Sequence, residues 1–139
     1  MQINIITKLY GYLKPNWRIS NSDMRALGEI GVRDVKLNFR TSGGNINNNW
    51  KPLEDSTIRR RRKHSTKPLI DTGQLLNSVS KAIKSNRLYI TTNRRDKNYD
   101  NIALVQNFGD SRKRIKAREF MKFSQFAIDE MLSITKEGV

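Results

Sequence analysis

Hydrophobic residues recur at helical spacing in two stretches of the chain. From Met24 to Phe39 a stripe of apolar residues recurs three to five positions apart, with basic residues off the stripe. The stripe consists of Met24, Leu27, Val32, Val35 and Phe39. This period is typical of an amphipathic helix that buries one face, and the segment SNSD just before it offers several N-cap residues. The pattern predicts a helix of about 17 residues. In it, Gly28 and Gly31 would allow close packing against another element.

The second apolar stripe lies near the C-terminal end of the chain. Its spacing predicts an amphipathic helix over residues 119–136. The stripe consists of Phe120, Phe123, Ala127, Met131 and Ile134.

Alternation with a period of two predicts extended structure at two places. Residues 87–92 read RLYITT, which puts leucine and isoleucine on one side of a strand and tyrosine and threonine on the other. Residues 1–19 form an N-terminal strand or arm, because residues 3–13 are rich in β-branched and aromatic side chains and Pro15 ends the pattern.

Shorter apolar patterns predict three further helices. The first is capped by Asp55 or Ser56 and carries the arginines that follow. The second is capped by Thr72 and continues to Ile83. The third covers residues 99–108 and is closed by the glycine that follows.

Long polar segments separate these elements. Residues 41–70 form a long basic loop region, whose asparagine-rich start ends at Trp50. Residues 93–101 are a polar turn, and residues 110–118 are a second basic loop. Residues 1–139 show no internal repeat, so we expect a single domain. The predicted class is α+β, a small antiparallel sheet packed by two long amphipathic helices, with long extended loops.

Composition and charge narrow the class of protein. The chain has 139 residues, 36% of them hydrophobic, which suits one domain with a modest core. Its 27 basic and 13 acidic residues give a net charge of +14, which attracts nucleic acid, anionic lipid or acidic protein surfaces. The absence of cysteine excludes disulfides and thiol chemistry. No apolar run approaches the roughly 20 residues of a membrane span. The N-terminus does not resemble a signal peptide, so we expect a soluble, non-secreted protein without a membrane partner.

Candidate catalytic and metal-binding residues are few. His64 is the single histidine and lies in a run of cations, where a solvated role is far more common than catalysis. Asp96 and Asp100 lie four residues apart but beside basic residues, so ordinary charge balance explains them. No phosphate-binding loop motif occurs. The sequence therefore predicts no enzyme, no cofactor and no metal.

Two clusters of basic residues are candidates for contact with a partner. Single-stranded nucleic acid is usually bound by aromatic side chains placed between cations. Here the phenylalanines, including Phe126, follow helix stripes and are predicted to be core residues. The basic signal is therefore unspecific, and a solvated charged loop is the alternative. The candidates that face a partner or DNA are Arg59, Arg60, Arg61, Arg62, Lys63, Arg112, Lys113, Arg114 and Lys116.

Four short segments follow one another in a specific order. They are WKPL at 50–53, LIDTGQLLNS at 69–78, YDNIALVQNFG at 99–109 and IKAREFMKFS at 115–124. In order and spacing they resemble the virion morphogenesis family of tailed bacteriophages, the Mu-type tail-completion proteins. The resemblance covers 50–124, about half of the chain.

The sequence departs from the family pattern at three positions. Asp100 stands where the family has alanine, Val105 where it has histidine, and Lys116 where it has proline. These departures bear on the branch of the family and therefore on the position in the virion.

The resemblance implies a structural virion protein without catalytic activity, a tail-completion or terminator protein that assembles as a ring at the head–tail interface. It implies a location in the neck or tail end of the virion after assembly in the host bacterial cytoplasm. The implied partners are copies of the chain itself in a hexamer or dodecamer, adjacent neck and tail-tube proteins, and genomic DNA in transient contact. A head-side connector and a small basic nucleic-acid-binding protein are the alternatives.

The same motifs supply a set of structural residues. We expect Trp50 and Leu53 to anchor the long loop by apolar burial. We expect Gly73 and Gly109 to occupy turn or cap positions. Arg118 can bind a carboxylate or backbone carbonyls through its planar guanidinium. The full set is Trp50, Leu53, Gly73, Leu75, Phe108, Gly109, Arg118 and Phe120.

Overall fold

The computed structural model describes residues 2–5, 9, 20–61, 67–70, 73–84, 87–92, 102–112 and 115–137. These residues form a three-stranded antiparallel sheet and five α-helices, which agrees with the predicted α+β class. The strands are β1 (Gln2–Asn4), β2 (Ser80–Lys84) and β3 (Arg87–Thr91), in the order β1-β3-β2. The helices are α1 (Asn21–Arg40), α2 (Asp55–Arg60), α3 (Gln74–Ser78), α4 (Ile102–Phe108) and α5 (Gln125–Glu137).

Helix α1 lies on one face of the sheet, and its predicted position is confirmed. Ser20 is the N-cap, and its hydroxyl accepts a hydrogen bond from the Asp23 backbone N–H at 3.2 Å. A Cβ at Gly31 would lie 2.8 Å from Cδ1 of Ile90, so the glycine permits the close approach of helix and strand that the sequence predicted. The predicted apolar stripe supplies the buried residues Met24, Leu27, Val35 and Phe39.

The N-terminal strand is shorter than predicted. It ends at Asn4, and Ile5 and Leu9 are both helical and fully buried. Both residues were predicted to be extended, because the β-branched composition favoured an arm. The rest of the predicted arm, to residue 19, lies outside the described residues.

The predicted strand β3 is confirmed, whereas the predicted helix to Ile83 is wrong. Helix α3 ends at Ser78, and Ile83 belongs to β2, where it pairs with Leu88. The helical spacing of Val79 and Ile83 was misleading, because pairing with β3 overrides this local pattern. The N-cap of α3 is Gly73, not the predicted Thr72, which lies outside the described residues.

The region 41–70 contains more regular structure than the predicted loop. It includes a 3-10 turn at Gly44–Ile46, and the predicted short helix is α2, with Glu54 instead of Asp55 or Ser56 at its N-cap. Trp50 anchors the loop as predicted: it is 6% exposed, and its ring meets that of Phe39 edge to face at 6.1 Å.

The predicted start of the C-terminal helix at residue 119 is wrong. Residues 119–124 are not helical, and α5 begins at Gln125. Two buried asparagines bind the backbone of this segment. The Asn107 Oδ1 accepts hydrogen bonds from the N–H groups of Phe120 (2.9 Å) and Met121 (3.0 Å). The Asn38 Nδ2 donates to the carbonyls of Phe120 (2.7 Å) and Lys122 (2.8 Å). Because side chains satisfy these backbone groups, the segment does not need helical hydrogen bonds.

A buried carboxylate joins α1 to the start of α5. Asp34 accepts hydrogen bonds from the Ser124 backbone N–H and hydroxyl, each at 2.7 Å, and from the Asn45 side chain at 2.9 Å. The Ser124 hydroxyl also accepts from the Ala127 N–H at 3.1 Å, which caps α5. Helix α5 therefore packs on α1. The structure confirms the small antiparallel sheet, but it does not confirm that two long helices pack on it.

The short helix α4 buries a polar residue and exposes an aromatic one. Among its described side chains, Ala103 and Asn107 are buried, whereas Phe108 is 66% exposed. Asn107 must point inward to bind the backbone at 120–121, so the next residue along the helix points outward. The predicted start of this helix and the polar turn before it, residues 93–101, lie outside the described residues.

Candidate functional site

Four cationic side chains from three segments of the chain lie close together and form what we call the cationic cluster. They are Lys51 after the Trp50 anchor, Arg61 at the C-cap of α2, and Lys116 and Arg118 before the 119–124 segment. This cluster brings the two predicted basic loops to one surface. It also includes Lys51, which the sequence did not single out.

Arg118 is held in place by backbone contacts. Its N–H donates to the Gln106 carbonyl at 2.8 Å, and its Nε and Nη2 donate to the Lys51 carbonyl at 3.3 and 3.0 Å. The sequence predicted that the guanidinium would bind either a carboxylate or backbone carbonyls, and here it binds a backbone carbonyl. The contact joins the WKPL segment to the segment that contains Arg118.

A tight turn positions Lys116. Asp110 and Ile115 exchange two backbone hydrogen bonds of 2.9 Å and close the turn. Gly109 has φ +77°, and a Cβ there would lie 2.8 Å from the Ala117 N and the Ile115 O. The position therefore requires glycine, as predicted. Gly73 was predicted to occupy a turn or cap position, and it is the N-cap of α3 with a φ of +82°.

Like charges dominate the electrostatics of the cationic cluster. Lys51 lowers the pKa of Lys116 below its ordinary value. The first cause is a hydrogen bond that the Lys51 ammonium donates to the neutral amine of Lys116, and the second is the charge of Lys51. Burial lowers the pKa of Arg118, and the charge of Arg61 lowers it further. Glu54 acts on Lys116 in the opposite direction, but as a smaller effect. An anion bound here would relieve the repulsion between the cations.

The run of five cations at 59–63 does not form one uniform surface. Arg59 and Arg60 are exposed on the last turn of α2. Arg61 is half-buried, and its Nη1 donates to the carbonyls of Lys67 (2.7 Å) and Ile70 (3.1 Å), so it has a structural role. Arg62 and Lys63 lie outside the described residues.

The second basic loop has the same mixed character. Arg112 is exposed, and its backbone N–H donates to Asp110 Oδ1 at 3.0 Å. Lys116 is exposed in the cationic cluster, whereas Lys113 and Arg114 lie outside the described residues.

Of the eight predicted structural residues, seven are buried or half-buried. Phe120 is fully buried with its ring centroid 4.9 Å from that of Phe39. Leu75 is buried and Leu53 is half-buried. Phe108 is the exception, because its side chain faces outward.

Exposed apolar side chains are a feature that the sequence did not reveal. Phe126 is 76% exposed, although it was predicted to be a core residue. It directly precedes Ala127, which is buried, so it lies off the buried stripe of α5. Within the described residues, the exposed large apolar side chains are Leu37, Ile83, Leu104, Phe108 and Phe126.

The described residues contain no group of three or more His, Asp or Glu side chains that could hold a metal ion. None of the described helices is long and apolar enough to cross a membrane. A scan against models of protein families found no match, and neither did searches of curated proteins and of solved structures.

Proposed function

We propose that this chain is a structural virion protein of a tailed bacteriophage, which completes the tail and assembles as a ring at the head–tail interface. The proposal rests on one observation. Three of the four segments that carry the resemblance contact one another in the structure. The Arg118 side chain binds the Lys51 carbonyl, and its N–H binds the Gln106 carbonyl. Asn107 binds the amide of Phe120. The first of these segments is far from the other two in the sequence, but all three are neighbours in the structure.

The outward-facing apolar residues of α4 support assembly with neighbouring subunits. Leu104 and Phe108 are 41% and 66% exposed. They are four residues apart, so they lie on the same side of the helix. Contiguous exposed apolar surface is typical of protein–protein contacts. In the proposed ring, this side of α4 packs against the next subunit.

The cationic cluster meets acidic surfaces of adjacent neck or tail-tube proteins, with genomic DNA in transient contact. Its like charges favour a binding partner that brings carboxylates or phosphates, because such a partner removes the repulsion between Lys51 and Lys116. Arg59 and Arg60 add exposed positive charge on the adjacent helix.

Co-purification tests this function. The full chain is co-expressed with the products of the genes next to its own and recovered through an affinity tag. We expect a tail-tube or neck protein to co-purify, and we expect Arg59→Glu with Arg60→Glu to weaken its retention in low salt. Arg61 is left unchanged, because its loss would release the carbonyls of Lys67 and Ile70. A chain that retains none of these products and binds duplex DNA with a steep salt dependence would instead be a nucleic-acid-binding protein.

A further inference from the structure

An open groove of about 510 Å³ lies between α1 and the start of β2. It follows α1 from Glu29 to Arg40, a length of about 16 Å at the rise of a helix. Its apolar lining comes from Val32 and Val79. The charged lining consists of Arg33, Lys36, Arg40, Lys81 and Glu29.

Positive charge in this groove is only partly compensated. Arg33 pairs with Glu130, and Lys81 lies 3.5 Å from Glu29. Lys36 and Arg40 form no ion pair with any carboxylate in the described part of the chain. The groove therefore favours an anionic occupant.

One wall of the groove is the edge of the sheet. β2 pairs with β3 on one side, and no strand among the described residues pairs with its other side. In an antiparallel strand, alternate residues direct their N–H and C=O groups to the free edge. Ile83 is opposite Leu88, which is buried, so its side chain lies on the sheet face that α1 covers, and it is 48% exposed.

We propose that this groove binds an extended acidic segment of a partner protein, which pairs with β2 as a fourth strand. The dimensions agree: a strand of about five residues spans the length of the groove. Lys36 and Arg40 are one helical turn apart, about 6 Å along the axis. Side chains on one face of a strand repeat at about 6.8 Å. Acidic residues at alternate positions of the segment would thus meet successive cations of α1.

The groove fits a peptide better than it fits a strand of nucleic acid. A peptide supplies both donors and acceptors to the edge of β2 and covers Ile83, as in other cases of strand addition. Single-stranded nucleic acid is bound by aromatic side chains that stack on its bases. None of the described residues that line the groove is aromatic. The residues that line the groove are different from those of the cationic cluster, so this proposal does not rest on the proposed virion function.

The test uses the full chain and a fluorescein-labelled peptide of roughly seven residues with Glu at alternate positions and Val between them. Binding is measured by fluorescence anisotropy, and backbone protection by hydrogen exchange. In the complex, we expect slower exchange of those amides of β2 that point to its free edge. Arg40→Glu should weaken binding by roughly tenfold or more. The matched control Arg112→Glu carries the same charge change on an exposed turn outside the groove and should weaken it by less than about threefold.

A second peptide separates strand addition from simple charge attraction. Methylation of its backbone nitrogens at alternate positions keeps every carboxylate but removes the donors on one edge. We expect at least one of the two methylation registers to abolish protection of β2 and to weaken binding. Equal binding of the methylated and unmethylated peptides, equal losses in Arg40→Glu and Arg112→Glu, or no binding of the peptide would overturn the proposal. Tighter binding of an oligothymidylate that Arg40→Glu abolishes would assign the groove to nucleic acid instead.

Discussion

Replacement of Asn107 by leucine tests how the segment before α5 is held in its non-helical form. The Asn107 Oδ1 accepts hydrogen bonds from the N–H groups of Phe120 and Met121, both inside the core. Leucine has a similar size but offers no acceptor, so both amides lose their partner. A buried group left without a hydrogen bond costs about 1–3 kcal/mol. Asn107→Leu should therefore lower the free energy of unfolding by about 2–6 kcal/mol.

The assay is urea denaturation followed by circular dichroism, with Asn77→Leu as the matched control. Asn77 is exposed on α3, so the same substitution there should change the unfolding free energy by less than about 0.5 kcal/mol. A loss of less than about 1 kcal/mol for Asn107→Leu would refute the claim that this carboxamide holds the segment.

Two further substitutions test the loop anchor and the cationic cluster. Trp50→Ala should destabilise the fold by about 3–5 kcal/mol. Trp50→Phe should cost clearly less, because the indole N–H has no hydrogen-bond partner among the described residues. Equal losses by urea denaturation would contradict this anchoring role. Lys51→Met should raise the pKa of Lys116 towards the ordinary lysine value, because Lys51 lowers it. An unchanged titration of the Lys116 Nζ by NMR would contradict the proximity of Lys51 and Lys116. The folded chain binds the Lys116 proton more weakly than the unfolded chain, so stability rises with pH through this titration, and it should rise less in the variant.

The sequence predicted the elements whose pattern is long or strictly local. Helix α1 has a cap and an apolar stripe, and both features are visible within its own segment. Strand β3 was predicted because its alternation corresponds to its two faces. Gly109 and Gly73 were predicted to occupy turn or cap positions, and both have a positive φ.

The errors come from contacts between distant parts of the chain. Residues 119–124 have helical spacing, but the side chains of Asn38 and Asn107 bind their backbone groups. Their role could not be inferred from local pattern, because an asparagine in a helix is usually a surface residue. Ile83 likewise became a strand residue through its pairing with β3.

The candidate site could be predicted only as a set of charges. The basic loops were visible in the sequence, but the approach of Lys51 to Lys116 depends on the contact between Arg118 and the Lys51 carbonyl. The same fold turns Arg61 into a structural residue while its neighbour Arg60 stays exposed. Which member of a basic run is available to a partner is therefore a property of the tertiary structure.

Ring assembly is the central claim, and sedimentation velocity with negative-stain microscopy tests it most directly. The account predicts a hexamer or dodecamer for the full chain, and smaller species for Phe108→Ser with an unchanged circular dichroism spectrum. The Phe108 ring leaves about 130 Å² to be covered by a neighbour, given its 66% exposure. This area corresponds to about 3 kcal/mol per contact. A wild-type chain that stays monomeric at all concentrations and sediments identically to Phe108→Ser would contradict it.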